Sequence, residues 1–174
     1  MRVVSLAGPS DSGKTTLVEE LVPQLTEEAR VATVKSIHHD IEIDTPGADT
    51  HRHRTAGAET VVGVTPALTF DITARGKRDP PDEPDAEFFR TDDPELRALS
   101  RVLTRLEGRG YDVVVVEGFT EAPLPTILVG DRDPGAVGGE VVGRGSEDLA
   151  GLVETVLGLE PLATRVESSD ADES

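Results

Sequence analysis

The residues best suited by type and spacing to do chemistry are Gly8–Thr15, GPSDSGKT. They match the phosphate-loop pattern G-x-x-x-x-G-K-S/T, in which glycines let the backbone turn tightly enough for successive N–H groups to converge on an anion. On this reading Gly8, Ser10, Asp11, Ser12, Gly13, Lys14, Thr15 and Thr16 cradle a nucleoside triphosphate. Lys14 reaches the β- and γ-phosphates, and Thr15 offers its hydroxyl to Mg²⁺. A helix opening near Lys14 adds free N–H groups and the positive end of its dipole. The other expected part is a carboxylate at the end of a buried strand, and VVVVEG supplies Glu117. Glu117 would hold Mg²⁺ through water or orient the attacking water. Lys14 and Glu117 are thus the expected catalytic residues, and Thr15 and Glu117 the expected metal site.

A second concentration of reactive side chains spans residues 35–58, KSIHHDIEIDTPGADTHRHRTAGA, which holds all four histidines, His38, His39, His51 and His53. Lys35, Asp40, Asp44, Asp49, Arg52 and Arg54 share the window. The segment leaves a strand at its C-terminal end, the edge where open α/β sheets bind ligands. Three uses stay open: metal binding by imidazole and carboxylate, capture of a phosphorylated substrate with Lys35, Arg52 and Arg54, or a polar surface loop and helix. On a helix His51 and Arg54 share a face while His51 and His53 diverge, so H-R-H-R is not the i, i+4 pair of a helical zinc site.

The elements that must position these groups follow from apolar spacing. Arg2–Ala7 reads as a buried strand ahead of the loop. A helix is expected over Lys14–Glu28, its face set by Leu17, Leu21 and Leu25, with Pro23 bending or shortening it. Arg30–Lys35 is the next strand, followed by a helix over Ala48–Gly57 and strands at Thr60–Val64 and Pro66–Ala74. Arg75–Glu95, proline-rich and charged around Phe88–Phe89, reads as an exposed mobile flap. A helix over Pro94–Glu107 should bury Leu96, Leu99, Leu103 and Leu106. Tyr111–Val116 is the expected central strand, since four consecutive valines suit burial on both faces. Asp112, at the end away from the phosphates, reads as solvated surface. Thr126–Val129 is a further strand, and Glu147–Leu157 a last helix with Ser146 as N-cap. Ala163–Ser174 reads as a disordered acidic tail. The expected architecture is one α/β phosphate-loop domain over residues 1–162, a largely parallel sheet flanked by helices.

Bulk composition narrows the partners. With 34 acidic and 17 basic residues the formal charge is −17, which repels nucleic-acid backbones. Only three of the basic residues are lysines, and this acidic, lysine-poor, aromatic-poor balance points to a salt-loving microbe. There is no cysteine, hence no thiolate site. No segment approaches the roughly 20 apolar residues of a membrane span, and no leader precedes the first strand. The expectation is a soluble cytoplasmic chain.

Taken together, GPSDSGKTTL, the 35–58 window and VVVVEGF resemble the MobB family, and the matching stretches span much of residues 2–130. The window is the specific part: Lys35, His38, His39, Asp40, Asp44, Pro46, Gly47, Asp49, Arg52 or Arg54, and Ala56–Gly57–Ala58 fill the family's places. The resemblance implies a homodimer that binds GTP with Mg²⁺, hydrolyses it slowly, and works beside a MobA-type nucleotidyltransferase in making molybdopterin guanine dinucleotide. It also implies that Lys35, His38, His39, Asp44, Asp49 and Arg52 face a ligand, with molybdopterin or the dimer seam nearby. The chain departs from the pattern at Thr120 and Thr126, where the family carries lysines, with Arg132 as a substitute anion contact. The flap is long, and no N-K-x-D motif is present to read guanine, a task left to Asp131 or Asp133. Arg75, Arg78 and Arg90 are the cationic candidates for a charge-stabilising finger. Three other functions compete: a small-molecule kinase with Asp40 or Asp44 as base, a nickel-insertion GTPase, and a nucleotide-gated adaptor without meaningful hydrolysis.

Overall fold

In the computed structural model, which describes residues 1–78, 88–89 and 91–162, the elements in chain order are β1 (Arg2–Ala7), α1 (Lys14–Leu25), β2 (Val31–Lys35), α2 (Asp49–Thr55), β3 (Thr60–Val64), β4 (Thr69–Thr73), α3 (Pro94–Gly108), β5 (Val113–Glu117), β6 (Thr126–Leu128), β7 (Val141–Arg144) and α4 (Leu149–Leu157). Residue contacts group them into two compact units, Met1–Ser36 with Glu83–Ser174, and Ile37–Asp82 inserted between. No compositional shift marks the junction at Ser36, whereas the one at Asp82 falls within the proline-rich, charged stretch Arg75–Glu95.

The first unit is organised by its valine strand. Five parallel strands lie in the order β2-β5-β1-β6-β7. Side chains alternate across the pleat. Val113 and Val115 join Val4, Leu6 and Ile127 against Leu17, Leu21 and Leu25 of α1 and Leu152, Val153 and Val156 of α4. Val114 and Val116 join Val3 on the other face, against Leu99 and Leu103 of α3, Phe119 and Leu124. Burial on both faces is why this strand carries no polar alternation.

Several local details differ from expectation. Pro23 lies inside α1, which ends at Leu25. Strand β7 is an addition that short apolar runs did not signal, and α4 is capped by Asp148, whose carboxylate accepts from the Gly151 N–H, rather than by Ser146. The reason is a tight turn ahead of the helix: the Glu147 N–H donates to the Arg144 carbonyl, and the Arg144 N–H to the Glu147 carboxylate. Asp112 is exposed but not idle, since it accepts from the Arg30 N–H at 2.8 Å and so fixes the entry to β2. Within the expected flap, Phe89 is buried in the α3-side core and the Phe88 N–H donates to Ser100. Residues 79–87, Arg90 and the 163–174 tail lie outside the described residues. No described helix is long and apolar enough to cross a membrane.

The second unit is a short helix and a hairpin. Strands β3 and β4 pair antiparallel, as a separate sheet rather than an extension of the parallel one. Val61 is its one buried large apolar side chain among the described residues. The Phe70 ring covers Gly63 so closely that a Cβ there would lie 2.2 Å from Cζ. Ile37, Ile41, Ile43, Val62, Val64 and Leu68, the exposed large apolar residues among those described, all belong to this unit.

Candidate nucleotide site

The phosphate loop follows β1, which the sheet pins between β5 and β6. Its first turn needs glycine for a steric reason: a Cβ on Gly8 would sit 2.3 Å from the Val129 carbonyl oxygen. Asp11 (φ 58°) and Gly13 (φ 92°) adopt the left-handed conformation, the backbone signature of an N–H concavity. Gly13 stands at the N-cap of α1 and has no side chain to cap it. The first-turn N–H groups of α1 therefore remain available to an anion. Ser12 Oγ is buried with no hydrogen-bond partner, which fits a cradle whose polar lining waits for a ligand. Lys14 folds back over the loop, donating to the carbonyls of Gly8 at 2.9 Å and Pro9 at 2.5 Å.

Beside the loop, Glu117 ends β5 with Leu6 and Lys35 as its register partners. Its carboxylate accepts from the Thr15 hydroxyl, 3.2 Å from each oxygen. Lys35 Nζ is 2.8 Å from Glu117 Oε1 and 3.4 Å from Thr15 Oγ1. Thr15, Glu117 and Lys35 thus touch one another, though the sequence places them in three separate segments. One hydroxyl and one carboxylate are the hard, sparse donor set that suits Mg²⁺, which completes its shell with water and phosphate oxygens. After Glu117 the chain takes two successive left-handed residues, Gly118 (φ 92°) and Phe119 (φ 53°). A Cβ on Gly118 would meet the Ser36 Cβ at 2.6 Å. For a bulky residue such a φ is a true outlier, and burial of the Phe119 ring in the α3-side core offsets it.

The other expected residues near this edge divide. Ser10, Thr16 and Asp131 are exposed. Asp133 accepts from the Gly135 N–H to start a short 3-10 turn, and the Arg132 guanidinium donates to the Ala136 carbonyl while its Nε is buried without a partner. Thr126 is buried and donates to the Leu124 carbonyl, so its hydroxyl is consumed inside the fold.

His38, His39, Asp44, Asp49 and Arg52 all fall in the second unit. His38, His39, Asp40, Asp49 and Arg52 are exposed, with Arg52 and Asp49 3.6 Å apart on α2. Asp44 is structural: one carboxylate oxygen accepts from the Thr45 N–H and from the Thr50 hydroxyl, tying the loop to α2, while the other is buried without a partner. His51 accepts the Gly47 N–H at Nδ1 and directs Nε2 toward Glu42, 3.8 Å away. Arg54 donates to both oxygens of Glu42 at 2.6 Å. That guanidinium, then the Asp44 N–H, holds the Glu42 carboxyl below its ordinary range. Sequence reading does not single out Glu42, because nothing in a carboxylate 12 residues before an arginine announces a pair across a loop. No cluster of three or more potential metal-ligating His, Cys, Asp or Glu exists among the described residues.

Comparison with known proteins agrees with this geometry. Residues 3–137 match the profile of the MobB family, "Molybdopterin guanine dinucleotide synthesis protein B". The chain is 31% identical over 128 residues to the molybdopterin-guanine dinucleotide biosynthesis adapter protein of Haemophilus influenzae, covering 73% of this chain and 62% of that one. The Escherichia coli protein of the same name is also 31% identical over 128 residues, with 73% and 64% covered. The chain therefore spans somewhat under two thirds of the length of these curated relatives. A crystal structure of molybdopterin-guanine biosynthesis protein B superposes with a TM-score of 0.61 at 25% identity, over 91% of this chain and 99% of that one. The matched span takes in the loop, the strands β1 and β5 and the 35–58 window, and the chain belongs to the MobB family.

Proposed function

We propose that the protein is an accessory protein of molybdopterin guanine dinucleotide synthesis that binds GTP with Mg²⁺ in the Gly8–Thr16 loop and hydrolyses it slowly. The observation that carries this reading is the contact of Thr15 with Glu117 beside an uncapped helix N-terminus. The relatives are adapter proteins of that biosynthesis, which supports the pathway and a partner enzyme within it; a MobA-type nucleotidyltransferase is the partner that the family resemblance implies.

The chain's own groups divide the work. Loop N–H groups hold the phosphates, and Lys14 exchanges its two loop carbonyls for β- and γ-phosphate oxygens. Thr15 and Glu117 would hold Mg²⁺, which would neutralise developing charge, and Glu117 would also orient the attacking water. Catalysis is positioning and charge stabilisation, so turnover is slow without a partner's cation. Asp49, Arg52, His38 and His39 of the Ile37–Asp82 unit remain the groups for a second ligand such as molybdopterin. Asp44 supports that ligand only through the loop it ties to α2.

The exposed apolar side chains of the Ile37–Asp82 unit support a homodimer formed through the hairpin. A two-stranded sheet with Val62, Val64 and Leu68 in solvent offers both an edge and an apolar face to a second copy.

Calorimetry in molar KCl with Mg²⁺ tests the nucleotide reading. GTP should bind more tightly than ATP, and Lys14→Ala should weaken binding by about 100-fold or more, in line with losing a charge-assisted phosphate contact. Tighter binding of ATP would transfer the site to the kinase reading, and unchanged affinity in the Lys14 variant would remove the phosphate-loop assignment.

A further inference from the structure

We propose that Lys35 is a positioning residue that stands in for the divalent cation until the triphosphate brings one, an inference resting on the nucleotide reading above. Its ammonium lies 2.8 Å from Glu117 and 3.4 Å from Thr15, the two side chains assigned to the metal. A cation already occupies the place where a cation is needed.

Charge explains why it must. The Glu117 side chain is only 13% exposed and stands beside an anion cradle in a chain of net charge −17. Left uncompensated, that carboxylate would repel the incoming phosphates, with the interaction strengthened by partial burial. Lysine suits the task better than arginine: it is a point charge on a flexible stem, not a rigid fork. This chain uses arginine almost everywhere, yet two of its three lysines, Lys14 and Lys35, converge on this loop. The Lys35 side chain is 53% exposed, so it can swing aside without disturbing the core.

An ammonium and a divalent ion cannot share those oxygens. Lys35 therefore raises the Mg²⁺ concentration needed to fill the site, and once displaced it is free to turn toward the γ-phosphate. The empty site is protected from collecting stray cations, and it remains attractive to a metal that arrives already bound to phosphates.

The test is nucleotide affinity titrated against free Mg²⁺ in molar KCl, for the wild type, Lys35→Met, Glu117→Gln and the double variant. Lys35→Met should lower the half-saturating Mg²⁺ concentration about tenfold and weaken binding in EDTA by a similar factor, a coupling of the usual size between interacting sites. In the Glu117→Gln background the same substitution should move half-saturation by less than about twofold, because Lys35 acts through that carboxylate. An unchanged half-saturation in Lys35→Met, or an equal shift in both backgrounds, would overturn the inference while leaving the nucleotide reading intact. Wild-type protein that binds neither GTP nor ATP would overturn the nucleotide reading itself, and this one with it.

Discussion

The two units of this chain are held together by different physics. In the phosphate-loop unit, β1 and β5 are buried on both faces, and leucines from three helices close over them. In the Ile37–Asp82 unit the work falls to polar contacts: Arg54 on Glu42, Thr50 and the Thr45 N–H on Asp44, and the Gly47 N–H on His51. The first unit gains stability from area removed from water, which carries no titrating group and so depends little on pH. The second rests on exposed charges and short-range hydrogen bonds, each worth little alone. A densely cored frame beside a loosely cored insert means that the two should differ in local stability.

That contrast can be broken from either side. The largest effect should come from Leu103→Ala, which empties a fully buried site between α3 and the sheet. A loss of about 2–5 kcal/mol in chemical denaturation is expected, and a loss below about 1 kcal/mol would mean the α3-side core is not what supports the frame. Next, Val62→Lys with Val64→Lys changes side chains already in solvent. Monomer stability should move by no more than about 0.5 kcal/mol, while sedimentation should show a dimer becoming a monomer. An unchanged dimer would remove the hairpin from the interface.

The smallest effect sharpens the contrast through pH. Because the folded state holds the Glu42 carboxyl low, its contribution is present above the ordinary carboxylate range and is lost as pH falls through the depressed value. Amide protection factors of residues 37–78, corrected for the intrinsic slowing of exchange in acid, should therefore fall on acidification before those of β1 and β5. Glu42→Gln should remove the part of this dependence that belongs to the unit. Equal acid sensitivity in the variant would assign the effect to other carboxylates.

The sequence was most legible where one residue type can do only one job. Gly8 is demanded by the Val129 carbonyl, the Val113–Val116 run by a doubly covered strand, and Lys14 and Thr15 by the phosphate pattern. It was least legible where a role depends on a partner distant in sequence. Asp44 carries the same letter whether it faces a ligand or caps a loop, and only the fold shows it bound to Thr50. Asp148 displaces Ser146 as cap because β7 and its turn, too short to leave a periodic signal, consume the residues before it. The split at Ser36 is invisible for a similar reason. Its N–H donates to the Glu117 carbonyl and its hydroxyl to Glu95, contacts that no local pattern encodes.

The strand order has a consequence for how the protein is made. β1 lies between β5 and β6, both of which follow it far along the chain. Until the ribosome has released them, β1 has no neighbours, and the Val129 carbonyl that presses on Gly8 has yet to be synthesised. Pairings this distant in sequence form slowly and leave apolar strands waiting. The segment that spells the nucleotide site is thus translated early and shaped late: a nascent chain ending before β6 would carry the whole motif without the strand and the Val129 carbonyl that close on its first turn.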